Sequence, residues 1–197
     1  MESKFITATP ANSINVSEQQ NPAIISNDPF AHTGIVEGNP LEYEVKEVES
    51  GIVEITRFLG FDKKDMIIPN MISGNKVIGI GGRMAFHNCQ KVESLTISDG
   101  IEYIGKEAFS DCEKLKRIKM NTHLKNVCFL AFAGTQVDRI CFPSSLIYLE
   151  KASLDVYGGH GEKGVIVAYL YPGTKAIASA RLWNIPLENA ENWPGYN

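Results

Sequence analysis

The dipeptide Ala-Phe occurs at Ala85-Phe86, Ala108-Phe109 and Ala131-Phe132, and both intervals are 23 residues. Neighbouring residues keep the same step: Cys89 with Cys112, Val92 with Leu115, Leu95 with Ile118, Ile97 with Met120 and Ile101 with Leu124. A fixed period of this length marks a stacked repeat, whose units bury their apolar sides only against one another. The third copy is one residue shorter before its next apolar position, then regains step at Ile140, Phe142, Leu146 and Leu149. A fourth copy begins at Leu149, with Ser153 and Leu154 in place of Ala-Phe, and decays there.

Within the copies, Leu95-x-Ile97, Ile118-x-Met120 and Ile140-x-Phe142 alternate, which is the period of a strand with one buried face. Each copy is therefore predicted to supply one strand of about three residues. Ile97, Ile101, Ile104 and Ala108 suit a tight turn and one irregular or helical turn on the far side of the coil. Alanine lets coils approach closely, and phenylalanine fills the middle.

The run Ile104-Gly105-Lys106-Glu107-Ala108-Phe109-Ser110-Asp111-Cys112-Glu113-Lys114-Leu115-Lys116-Arg117-Ile118 resembles the unit of the BspA-like leucine-rich repeats. Ile68-Pro69-Asn70-Met71-Ile72-Ser73-Gly74 is similar to the strand-rich lead-in that this family tends to carry. The resemblance covers about residues 41–187, with departures at Cys128, where the second copy has Gly105, at an extra residue around Gly81-Gly82, and in the fourth copy. It implies protein binding, often adhesion of microbes to host or matrix proteins.

The expected fold is an α/β repeat solenoid, a short and strand-rich leucine-rich-repeat stack with an N-terminal β-hairpin cap and a C-terminal strand-helix cap. Residues 1–40, polar and without sustained periodicity, read as a flexible leader. Residues 41–187 form the repeat domain: an N-terminal cap over 41–76, repeats over 77–155 and a C-terminal cap over 156–187. Residues 188–197 are a tail. In the first cap, Ser50-Gly51 turns a hairpin and Pro69 ends a strand that includes Ile67 and Ile68. In the second, Val165 to Tyr171 is strand-like, Thr174 caps a short helix, and Pro186 stops it.

The formal charge is -4, without the clearly basic face of a nucleic-acid or membrane-surface binder. No stretch approaches the roughly 20 apolar residues of a membrane helix, so no membrane insertion is expected. Met1 to Gln20 lacks the apolar centre of a secretory signal. The reading is cytoplasmic if Met1 is the native start, and cell-surface or secreted if a leader was removed. Asn15-Val16-Ser17 fits a glycosylation acceptor and is read as a chance triplet.

The four cysteines, at 89, 112, 128 and 141, form no Cys-x-x-Cys pair, so no metal site or cofactor is expected. Cys89 and Cys112 should lie close, as a disulfide or, the preferred reading, as buried free thiols. Gly100 to Lys106 imitates a phosphate loop, but Glu107 stands where a magnesium-binding hydroxyl belongs, and Ile101 and Ile104 are repeat positions. Gly159 to Gly164 fits Gly-x-Gly-x-x-Gly but precedes a strand rather than a helix, and reads as a mobile loop. His87 near Cys89 has no accompanying carboxylate or oxyanion signal, and His32, His123 and His160 are scattered, so no catalytic residue is assigned.

The candidate site is geometric. With Leu95, Ile97, Ile118, Met120, Ile140 and Phe142 inward, Ser94, Thr96, Arg117, Lys119, Arg139 and Cys141 should face outward. Either this is a plain solvated sheet face, or Arg117, Lys119 and Arg139 form a basic strip for an acidic partner. The function expected is a non-enzymatic protein-binding module, with an intracellular scaffold or regulator as the alternative and a thiol- or nucleotide-dependent enzyme third.

Overall fold

The computed structural model describes residues 29–157 and 163–195. The elements leading into the repeats are β1 (Glu37–Gly38), β2 (Tyr43–Glu49), β3 (Ile52–Phe58), β4 (Asp65–Ile68), β5 (Met71–Ile72) and β6 (Asn75–Ile80). The repeats supply β7 (Ser94–Ile97), β8 (Tyr103–Ile104), β9 (Arg117–Lys119), β10 (Asn126–Val127), β11 (Arg139–Cys141) and β12 (Tyr148–Leu149). Then come β13 (Asp155–Tyr157), β14 (Lys163–Val165), β15 (Val167–Leu170), α1 (Ala176–Leu182) and β16 (Leu187–Asn189).

Each copy makes two strands where one was expected. On one face β4, β7 and β9 run parallel, followed by β11, β15 and β16; on the other, β6, β8, β10 and β12 run parallel. The second strand replaces the anticipated irregular or helical turn, and α1 is the single α-helix among the described residues. Two residues suffice because Ile104, Val127 and Leu149 each point one buried side chain into the coil.

The Ala-Phe segments form the third side of each coil. Phe86 N–H donates to Ala108 O at 2.8 Å, and Phe109 N–H to Ala131 O at 2.9 Å, so the main chain of one coil is satisfied by the next. The bend recurs with the period: Met84, Glu107, Leu130 and Ala152 have φ of 59°, 53°, 52° and 56°. A side chain in this left-handed region costs about 1 kcal/mol or more, and the ladder holds it there four times. Gly105 serves a different need: a Cβ there would lie 2.5 Å from Ile80 O, so bulk would push coils apart.

Inside, Phe86, Phe109 and Phe132 are stacked, with ring centroids 5.1 and 5.8 Å apart. The row continues into the hairpin, where Phe58 stacks on Phe86 at 5.3 Å and Tyr43 tilts against Phe58 at 5.4 Å. The hairpin itself, β2 against β3 about Ser50-Gly51, follows the turn signal.

Both ends of the chain depart from expectation. Residues 1–28 of the expected leader lie outside the described residues, but residues 29–38 pack as a strap across the coils. Ala31 is buried and its N–H donates to Met120 O at 2.8 Å; Thr33 N–H donates to Asp99 Oδ2 at 3.1 Å. Val36 N–H donates to Asn70 Oδ1 at 2.8 Å, Asn70 Nδ2 donates to Gly34 O at 2.7 Å, and β1 pairs with β5. The strap is held through its backbone by Asn70 and Asp99, which is why its own sequence shows no periodic signal.

At the other end, the residues expected to form a tail add β16 to β15, bury Ala190, and set Trp193 edge-on against Tyr169 at 5.0 Å. The single strand expected from Val165 to Tyr171 breaks at buried Ile166, where the chain passes from one pairing to another. Thr174 does not cap α1: its hydroxyl donates to Tyr171 O at 2.8 Å, and the cap position is Lys175, without a side-chain bond. The helix ends at Leu182, before Pro186, and Asn184, whose φ is 54°, turns the chain away.

Two outcomes follow. Phe109→Ala removes the middle ring of the row and should lower unfolding free energy by about 3–5 kcal/mol, while exposed Lys114→Ala should change it little; chemical denaturation measures both. Asn70→Ala removes the bonds to Val36 and Gly34 and should cost about 1–3 kcal/mol, with the Val36 amide exchanging faster by hydrogen-exchange mass spectrometry. An unchanged Val36 amide would show that Asn70 does not hold the strap.

Candidate functional site

Strand register decides which candidate side chains meet. Ser94 pairs with Arg117 and Thr96 with Lys119, between β7 and β9. Arg139 and Cys141 pair with Val167 and Tyr169, between β11 and β15. β9 and β11 are not partners in a ladder: Phe30 forms a bridge with Met120 at the end of β9, and Ala31 takes the Met120 carbonyl. The outward strip is therefore split between two sheets, with Thr96, Arg117 and Lys119 on one and Arg139 on the next.

Thr96, Arg117, Lys119 and Arg139 are half-buried, as an outward strand face would leave them. Ser94 and Cys141 are not on the surface, being 1% and 0% exposed. The Ser94 hydroxyl donates to Asp65 Oδ1 on β4, which turns it away from solvent. Cys141 lies in register beside Tyr169, which Trp193 covers. The expectation that both face solvent therefore fails, because groups from elsewhere in the chain pack against them.

Arg139 is held by its neighbour Asp138, with Nε and Nη2 at 3.1 and 2.8 Å from Oδ2, and that bond raises its pKa. Arg117 and Lys119 sit one strand away from Thr96 and alternate with buried Ile118. Two cationic side chains thus share one strand face. The aromatic pair Tyr169 and Trp193 was not foreseen, since neither residue belongs to the 23-residue period.

The other motifs resolve into the ladder. In the stretch that imitates a phosphate loop, Glu102 N–H donates to Ile78 O at 2.7 Å and Gly105 N–H to Ile80 O at 2.7 Å, so these amides serve the neighbouring coil. His87 Nδ1 lies 3.0 Å from Ser110 Oγ and 3.5 Å from Asp111 Oδ2. Cys89 lies instead against Cys112 of the next coil, and all four cysteines are free thiols. Burial raises the Cys128 pKa, helped by Glu150. The Gly-x-Gly-x-x-Gly stretch and His160 lie largely outside the described residues. Among the described residues no group of three His, Cys, Asp or Glu side chains is placed to hold a metal ion, and no helix is long and apolar enough to cross a membrane.

Short parallel strands stacked at a 23-residue step, with aliphatic side chains inward and a row of rings between them, define a leucine-rich-repeat protein. Residues 68–157 match the family described as the BspA type leucine rich repeat region, in six copies, so this stretch carries repeats of that type. The match is narrower than the 41–187 suggested by resemblance. The family is of a repeat type associated with protein interaction.

Among solved structures, the Treponema pallidum leucine-rich-repeat protein is similar at 19% identity and a TM-score of 0.50, over 60% of this chain and 66% of that one. A Bacteroides capillosus leucine-rich-repeat protein aligns at 24% identity and a TM-score of 0.48, over 59% of this chain and 93% of that one. One from Bacteroides ovatus aligns at 22% identity and a TM-score of 0.47, over 66% and 36%. The chain thus spans just under two thirds of the Treponema protein, and that likeness is one of fold. A search among curated proteins gave no match.

The covering of Cys141 is testable. In the native protein a maleimide should leave it unlabelled, since it is fully buried. Trp193→Ala should make it reactive within minutes to hours by peptide mass spectrometry; continued protection would place its cover elsewhere.

Proposed function

We propose that the chain is a non-enzymatic protein-binding module built as a short capped solenoid, with adhesion to an acidic protein surface as its role. The hairpin β2–β3 acts as the first cap, supported by the stacking of Phe58 on Phe86 and by Phe58 N–H donating to Ala85 O at 2.8 Å. Helix α1 acts as the second, with Leu149 N–H donating to Ser179 Oγ at 3.1 Å across the end of the last coil. Caps of this kind cover the unpaired edges that a stack otherwise presents.

One observation carries the reading: Arg117 and Lys119 stand half-buried and side by side in alternation on a rigid strand face, with Thr96 in register beside Lys119. Fixed cations on strands meet carboxylates with little ordering cost, which favours recognition of a preformed acidic surface. The family resemblance, with its frequent adhesive role, supports the same reading. The lining of Ser94 and Cys141 drops out of the contact set, because both are buried.

The experiment is affinity capture from matrix-protein and own-cell extracts by the full chain and by the double variant Arg117→Glu, Lys119→Glu, followed by binding titration of each captured protein. Reversal of two surface charges should weaken the true partner about tenfold or more and flatten its salt dependence. A partner bound equally well by both proteins would refute the strip, and turnover of a captured molecule would refute the non-enzymatic reading.

A further inference from the structure

Cys89 and Cys112 occupy the same place in successive coils. Asn88 N–H donates to Ser110 O at 3.0 Å immediately before them, which sets the two coils in register. The two side chains interact closely enough to perturb one another, and the Cys112 thiol donates to Phe86 O at 3.2 Å. Adjacent strand-like segments lie about 4.8 Å apart, within the range of roughly 4.4–6.8 Å between Cα atoms that a disulfide spans. The row of thiols stops there, because the next rung is Thr135, whose hydroxyl donates to Phe132 O at 2.8 Å. Cys128 lies beside Glu150 and Cys141 on the strand face, so neither shares this rung.

The two sulfurs are also unequal. Cys89 is 7% exposed and Cys112 only 1%. Interaction with the neighbouring thiol lowers the Cys89 pKa, while that interaction and burial raise that of Cys112. The titratable groups facing the pair are Tyr43, Asp62 and Asp111, and each opposes a charge on one of the sulfurs. Of the two, Cys89 is the sulfur that an oxidant reaches more readily, and Cys112 is placed behind it.

We propose that Cys89 and Cys112 are a redox-responsive pair, which a hydroperoxide converts into a disulfide linking the first and second coils. The Cys89 sulfur attacks one peroxide oxygen, the O–O bond breaks, and the departing hydroxide leaves as water with the Cys89 thiol proton. The Cys112 sulfur then attacks the Cys89 sulfenic acid, the S–O bond breaks, and a second water carries away the Cys112 proton. Two thiols lose two electrons and two protons, and one hydrogen peroxide becomes two waters. The product closes a loop of chain one repeat long and ties together two rungs of the phenylalanine row.

The test uses the full chain, purified reduced and then titrated with hydrogen peroxide. Non-reducing peptide mass spectrometry should find the peptide containing Cys89 joined to that containing Cys112, with the intact mass lower by two hydrogens. The melting temperature should rise by several degrees and return on addition of dithiothreitol. Cys112→Ser should leave Cys89 as a sulfenic acid trapped by dimedone, and Cys128→Ser should leave the crosslink unchanged. Should Cys112→Ser fail to fold, the peptide map of the unaltered chain still decides. Absence of oxidation, overoxidation of Cys89 without a link, or a link to Cys128, Cys141 or a second molecule would each overturn the proposal.

Discussion

The main-chain hydrogen bonds that each coil hands to the next are the interaction on which everything else rests. Beyond the short turns within each coil, the backbone is closed by its neighbours: Phe86 is satisfied by Ala108, Phe109 by Ala131, and Glu102 by Ile78. This fixes the step between coils, and the fixed step is what brings rings at a 23-residue spacing to centroid separations of 5.1 and 5.8 Å. Stacked rings at such distances add to the burial of their area. The strained φ values at Glu107, Leu130 and Ala152 persist because the same ladder holds them.

The surface inherits this rigidity. Arg117 and Lys119 alternate with Ile118, which is fully buried, so their direction follows from the position of the core. The split between β9 and β11 limits the strip, since Arg139 belongs to the second sheet and is engaged by Asp138. The surface is consequently narrower than an uninterrupted face would be, and Arg117 and Lys119 lie on one strand of it.

Much of the interior was legible because repetition is itself a signal. Phe86, Phe109 and Phe132, the strands about Leu95, Ile118 and Ile140, and the hairpin at Ser50-Gly51 all appear where their residue patterns place them. The second strand of each coil was hidden, because Tyr103-Ile104, Asn126-Val127 and Tyr148-Leu149 offer one inward side chain apiece and no alternation to detect. Ser94 and Cys141 were placed outward by a rule that knows only its own strand, whereas Asp65, Tyr169 and Trp193 come from outside that strand. The chain ends misled for the same reason: Asn70 and Asp99 grip main-chain groups, which every sequence provides.

The strap changes what kind of object the stack is. Linear arrays held only by contacts between neighbours can fray from a terminus, one unit at a time. Here a segment anchored at Met120 beside the third coil reaches back to Ile72 ahead of the first. Loosening the stack between these two points must therefore disturb the strap, so this part of the array behaves as a clasped bracelet rather than an open row of beads.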